Sequence, residues 1–296
     1  MPDIRALVID PSQVQGGGEI GSFPFEHFAA AILAQGDSWF SIGAFPPAFT
    51  SNVPLQMVLS KSTVIVDCAR PGHVLQHMTS TTTDRMFLRQ LAGPLSRRWK
   101  AIMVSGGGND LIDAVGVPPS KPAKQRLLAA PKERPAAPAS MDDYISAPGW
   151  TQLADHLSAV FKQLVAARNG GQNRLTPMLF HTYAHLVPRP SGAGLGFGPW
   201  LQPWLARYDV PQTDWAPLAA RLIDRLAELL QSLVAAQQAL DPACALHIVD
   251  TRTAALLPSD PAAENESGDF INEIHPTSDG YGKLAAVWRA SLDPLL

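Results

Sequence analysis

Phe28-Ala29-Ala30-Ala31-Ile32-Leu33-Ala34-Gln35 runs without a charge into Gly36-Asp37-Ser38-Trp39-Phe40. A short apolar run that ends at a glycine reads as a strand buried on both faces, and such strands belong to parallel sheets covered by helices. Four further runs have the same character, at residues 62–68, 101–105, 177–187 and 245–250. Helical patterns separate them. Trp215, Leu218, Leu222, Leu226, Leu229 and Leu233 recur every three or four residues with Asp224, Arg225 and Glu228 between them, which predicts a helix with one apolar face. Residues 150–167 repeat this through Leu153, Leu157, Val160, Phe161 and Leu164, and Gly170-Gly171 marks the stop. Strand and helix in alternation predict an α/β fold: a doubly wound, three-layer sandwich around a five-stranded parallel sheet, in a single domain over residues 28–296. Residues 1–27, with Gly16-Gly17-Gly18, read as an irregular N-terminal arm. The stretch 117–140 carries Pro118, Pro119, Pro122, Pro131, Pro135 and Pro138 and reads as an irregular insertion between the third strand and its helix.

Composition narrows the classes of function. Of 296 residues 46% are hydrophobic and 17% charged, a globular balance, and 23 Lys and Arg against 26 Asp and Glu leave a formal net charge of −3. No basic cluster exceeds a pair, so a nucleic-acid partner is not expected. The uncharged runs that could look membranous, such as 28–36 and 229–240, fall short of the roughly 18 apolar residues that a bilayer span requires. The start lacks a secretory signal, so a cytoplasmic location is the expectation unless a leader has been removed. Cys68 and Cys244 both lie in apolar sequence and read as buried free thiols. Oligomeric state is not legible.

Three segments carry chemistry. Ser38 follows the first strand, at the carboxyl edge where open α/β sheets bind ligands, and its amide lies near a helix start. Ser105-Gly106-Gly107-Gly108-Asn109-Asp110 follows the third strand; its glycines permit close backbone approach, and Asn109 offers an amide donor. No Lys-Ser or Lys-Thr follows these glycines, so they are not a phosphate-binding loop. Near the end, Asp269-Phe270-Ile271-Asn272-Glu273-Ile274-His275-Pro276-Thr277 puts His275 on a loop before the last helix. Singly, each has a plainer reading: a helix cap, a glycine turn, a surface histidine.

Together the segments resemble the SGNH, or GDSL-type, hydrolase family. Gly36-Asp37-Ser38 matches its nucleophile block, Gly72 within Ala69-Arg70-Pro71-Gly72 its glycine block, Gly107-Gly108-Asn109-Asp110 its Gly-x-Asn-Asp block and His275 its histidine block, in the family's order. The resemblance implies a flavodoxin-like strand order 2-1-3-4-5 and a serine esterase or lipase. Ser38 would be nucleophile and His275 general base, the Ser38 and Gly72 amides and the Asn109 side chain would form the oxyanion hole, and no cofactor would be needed. The Asn-Glu-x-His block resembles a bacterial subgroup. One slot departs: where the family has Asp three residues before the histidine, this chain has Asn272. An amide oxygen still accepts an imidazole N–H, but Asp269 and Glu273 are near enough in sequence to be alternative partners of His275.

The expected partner is a small-molecule ester whose acyl and alcohol parts the sequence does not specify. A catalytically silent binding module for acylated sugar or lipid is the alternative, and a nucleotide binder lacks its phosphate loop. His73 with His77, and His181 with His185, have four-residue spacing but no zinc-protease Glu between them, so no metal is expected. The glycine-rich stretch 192–198 reads as a flexible loop lining the site, and the Pro-rich insertion is expected to border it.

Overall fold

The computed structural model describes residues 3–14, 23–41 and 51–296. Strands follow in chain order as β1 (Ile4–Arg5), β2 (Leu7–Ile9), β3 (Ala30–Gln35), β4 (Val58–Leu59), β5 (Thr63–Asp67), β6 (Ala101–Val104), β7 (Met178–His181) and β8 (Leu246–Val249). The helices are α1 (Ser38–Ser41), α2 (Arg85–Leu91), α3 (Gly108–Val115), α4 (Ala147–Asn169), α5 (Gln202–Arg207), α6 (Gln212–Leu240) and α7 (Ser278–Leu292).

Among the described residues six strands form one sheet in the order β2-β5-β3-β6-β7-β8, and every pairing is parallel. The five runs picked out by apolar character take the order 2-1-3-4-5. A sixth strand lies at the edge, in the segment read as an irregular arm. There Leu7, Val8 and Ile9 pair with Val64, Ile65 and Val66. Only Ile9 is buried, and three residues are too few to show a period, which is why the sequence did not reveal it. β1 pairs with β4 in a separate antiparallel ribbon.

Phe180 and His181 demonstrate the three layers. Successive residues of a strand face opposite ways. The Phe180 ring packs on Phe161 of α4 at 4.8 Å, while His181 lies 5.7 Å from Trp288 of α7. Helices therefore cover both faces. Ser146 opens α4 by accepting a hydrogen bond from the Gly149 N–H at 3.3 Å. In α6 Leu218, Leu222, Leu226 and Leu230 are buried.

Two boundaries differ from the sequence reading. The run 177–187 is strand only to His181, because Tyr183 adopts a left-handed φ of 62° and takes the chain off the sheet. The Pro-rich stretch lies after α3 and before α4, one helix later than expected. There Leu127 accepts from the Ser146 N–H at 2.8 Å, and Val117 accepts from the Tyr208 hydroxyl at 2.6 Å.

Candidate active site

Parallel strands end together at their carboxyl edge, so the turns after β3, β6 and β7 meet there. Gly36 is required in the first: a Cβ would stand 2.7 Å from the Cβ of Ser105, which follows β6. Asp37 joins all three turns. One of its oxygens accepts from the Trp39 N–H at 3.0 Å and the Ser105 hydroxyl at 2.9 Å, and the other accepts from the Tyr183 hydroxyl. Burial is the main influence on Asp37 and pushes its pKa up to about 6, against the pull of these donors.

The network continues below. Ser105 has one proton, directed at Asp37, so His181 Nε2, 2.8 Å from Ser105 Oγ, is the donor in that pair. Burial drives His181 down to about 3, so it is neutral at physiological pH. Gly108 completes the packing, since a Cβ there would come within 2.7 Å of the Tyr183 ring.

Ser38 opens α1, and its hydroxyl lies 2.9 Å from Nε2 of His275. Nδ1 of His275 lies 3.0 Å from Oδ1 of Asn272. The same Oδ1 accepts from the Ile274 N–H at 3.1 Å and the His275 N–H at 2.9 Å. Two backbone donors thus turn the amide so that its oxygen faces the ring. This assigns the proton to Nδ1 and leaves the Nε2 lone pair for the Ser38 hydroxyl. Ser38, Asn272 and His275 are only 7%, 4% and 3% exposed, and burial lowers His275 to about 4. Trp200 meets the His275 ring edge-on at 5.2 Å, and Trp39 Nε1 donates to the Ile274 carbonyl at 3.2 Å.

Asp269 and Glu273, the other candidate partners, are engaged elsewhere. Asp269 accepts from the Leu257 N–H and from Lys283 Nζ, each at 2.6 Å. Glu273 accepts from the N–H groups of Arg189, Trp200, Leu201 and Gln202, which fixes the chain entering α5. Neither makes a hydrogen bond to the His275 ring.

Asn109 lies in the first turn of α3, and its Nδ2 donates to the His73 carbonyl at 3.0 Å. One amide proton is thereby used and one is left. The same loop is tied to the Ser38 turn by the Arg70 N–H, which donates to the Gly36 carbonyl at 3.0 Å. Gly72 sits on this loop with φ +75°, exposed to solvent.

A narrow, partly open cavity lies against Ser38 and Asn109. Its walls come from α1, α3, α6, the segments after β7 and before α5, and Ile274 of the loop that carries His275. Neither 117–140 nor 192–198 contributes a lining residue, contrary to expectation. The Pro-rich stretch is held against α4, and Leu195 and Phe197 of the glycine-rich loop are 98% and 66% exposed. His73 and His77 have ring centroids 5.3 Å apart, while His185 pairs with Asp224 at 2.9 Å. Among the described residues no group of three or more His, Cys, Asp or Glu is placed to hold a metal ion, and no helix is long and apolar enough to cross a membrane.

Sequence reasoning missed Tyr183 and Trp200 and weighed His181 only as a metal ligand. Tyr183 was hidden inside an apparent strand, and Trp200 has no local signal, because it reaches His275 only through the fold.

No family model and no curated protein matches the chain. Among solved structures it is similar to an extracellular lipase from Streptomyces rimosus, at 12% identity over 88% of this chain and 99% of the other, with a TM-score of 0.47. Similar too are a phospholipase A1 from Streptomyces albidoflavus, at 15% identity over 88% and 99% with a TM-score of 0.41, and an acetylxylan esterase from Geobacillus stearothermophilus, at 14% over 89% and 94% with 0.45. At such distances the chain's chemistry has to be argued from its own side chains.

Proposed function

We propose that the chain is a serine esterase of the SGNH type that cleaves carboxylic esters through an acyl-enzyme on Ser38. The observation that carries this reading is the continuous hydrogen-bond chain from Asn272 Oδ1 through both nitrogens of His275 to Ser38 Oγ, with 3.0 and 2.9 Å steps, opening on an apolar cavity. His275 Nε2 takes the hydroxyl proton as the Ser38 oxygen bonds to the ester carbonyl carbon. The oxyanion is held by the Ser38 and Gly72 amides and the free amide proton of Asn109. Collapse breaks the bond to the alcohol oxygen, which leaves with the proton from His275, and water repeats the sequence to free the acid.

Burial keeps His275 neutral near pH 7, so it is ready to act as a base without a carboxylate behind it. The neutral amide also favours the alternative, a silent module that binds acylated sugar or lipid. A p-nitrophenyl ester separates them. The esterase gives a burst of nitrophenol and a single fluorophosphonate label on Ser38, and Ser38→Ala loses turnover by about 10⁴-fold or more while melting normally. Turnover or labelling that survives Ser38→Ala refutes the assignment.

A further inference from the structure

We propose that the cavity beside Ser38 is an acyl pocket built for an unbranched hydrocarbon chain longer than acetyl, so that the substrates are short- to medium-chain acyl esters. This rests on the acyl-enzyme reading above. Which half of the ester enters follows from position. The leaving alcohol oxygen has to lie beside His275 Nε2, and His275 is not among the lining residues, whereas Ser38 and Asn109 are. The alcohol therefore lies outside the cavity and the acyl chain within it.

The walls select hydrocarbon. Leu111 and Ile112 line the cavity from α3, and Ala219, Leu222 and Ile223 line it from α6. The polar groups that reach it are committed: both Asp37 oxygens accept hydrogen bonds, the Tyr183 hydroxyl donates to Asp37, the Ser38 hydroxyl faces His275, and Asn109 gives one amide proton to the His73 carbonyl and keeps the other for the proposed oxyanion. A hydroxyl or charge on the acyl group would find no partner and would be rejected. Each methylene that leaves water for this pocket raises kcat/KM about fourfold until the pocket is full.

The test is the chain-length profile of p-nitrophenyl acetate, butyrate, hexanoate and octanoate. We expect hexanoate to exceed acetate in kcat/KM by about tenfold or more. Ala219→Phe fills the pocket and should lower the hexanoate-to-acetate ratio at least tenfold, while Leu222→Ala enlarges it and should move the optimum to longer chains. Acetate preferred by the native chain, or a ratio unchanged in folded Ala219→Phe, overturns the pocket. If Ala219→Phe does not fold, an unmoved optimum in Leu222→Ala overturns it equally. The acyl-enzyme fails separately: turnover that survives Ser38→Ala removes the mechanism. The pocket then stands or falls on saturation-transfer NMR of hexanamide with Ser38→Ala protein, where contact supports it and no contact overturns it.

Discussion

The two sides of the site are built on different principles. On the Ser38 side a buried carboxylate, Asp37, accepts from Trp39, Ser105 and Tyr183 and ties the ends of three adjacent strands together. On the His275 side the corresponding acceptor is neutral, and Asn272 is held by the backbone of its own loop. Charge is thus placed where it organises the sheet edge and omitted where it would stabilise an imidazolium. A carboxylate fixed beneath the Ser38 turn costs desolvation, seen in the raised Asp37, but it is offset by three donors in rigid positions. An amide behind His275 avoids burying a second charge, and the proton transfer is correspondingly less favoured.

The strongest test of this contrast lies between the two sides. Asn109→Ala removes the proposed side-chain oxyanion donor, and acylation should slow by about 10²–10³ with little change in KM. A loss confined to KM would make Asn109 a substrate contact, and the site would then rest on the backbone donors of the Ser38 side.

His275→Gln probes the neutral side through stability. The folded pKa of about 4 lies below the ordinary 6.5, so in this window the unfolded chain binds more protons than the folded one. Stability therefore falls as pH drops from 6.5 through 4, by up to about 3 kcal/mol for this residue. The variant should lack that part of the acid decline in melting temperature. An identical decline in both proteins would mean that His275 is compensated by charge after all.

Asn272→Asp places a carboxylate on the neutral side and should have the smallest effect on rate. A negative charge against Nδ1 favours the imidazolium, so the acid limb of the kcat/KM profile should rise by about one unit or more from its position in the native chain. The rate at pH 8 should be equal or higher. An unmoved limb would show that His275 is not the titrating base.

Much of this was legible in the chain. Four of the five principal strands appear as apolar runs because burial on both faces leaves no polar side to obscure them, the edge strand β8 with its exposed His247 being the exception, and Ser38 and Asn109 stand out because glycine-marked turns end two of those runs. Three-residue spacing made Asn272 a candidate for His275 but could not choose it over Asp269. That choice depends on where a loop turns its side chains: the Ile274 and His275 amides aim the Asn272 oxygen at the ring, and Lys283, from α7, draws Asp269 away. Other features exist only in three dimensions. Tyr183 leaves its strand at a left-handed residue, Trp200 reaches His275 across 74 intervening positions, and β2 is a strand because β5 lies beside it. Local sequence determines elements whose burial is uniform along the chain. Pairings between distant segments, and the protonation states that follow from them, are decided by which groups share the same water-free interior.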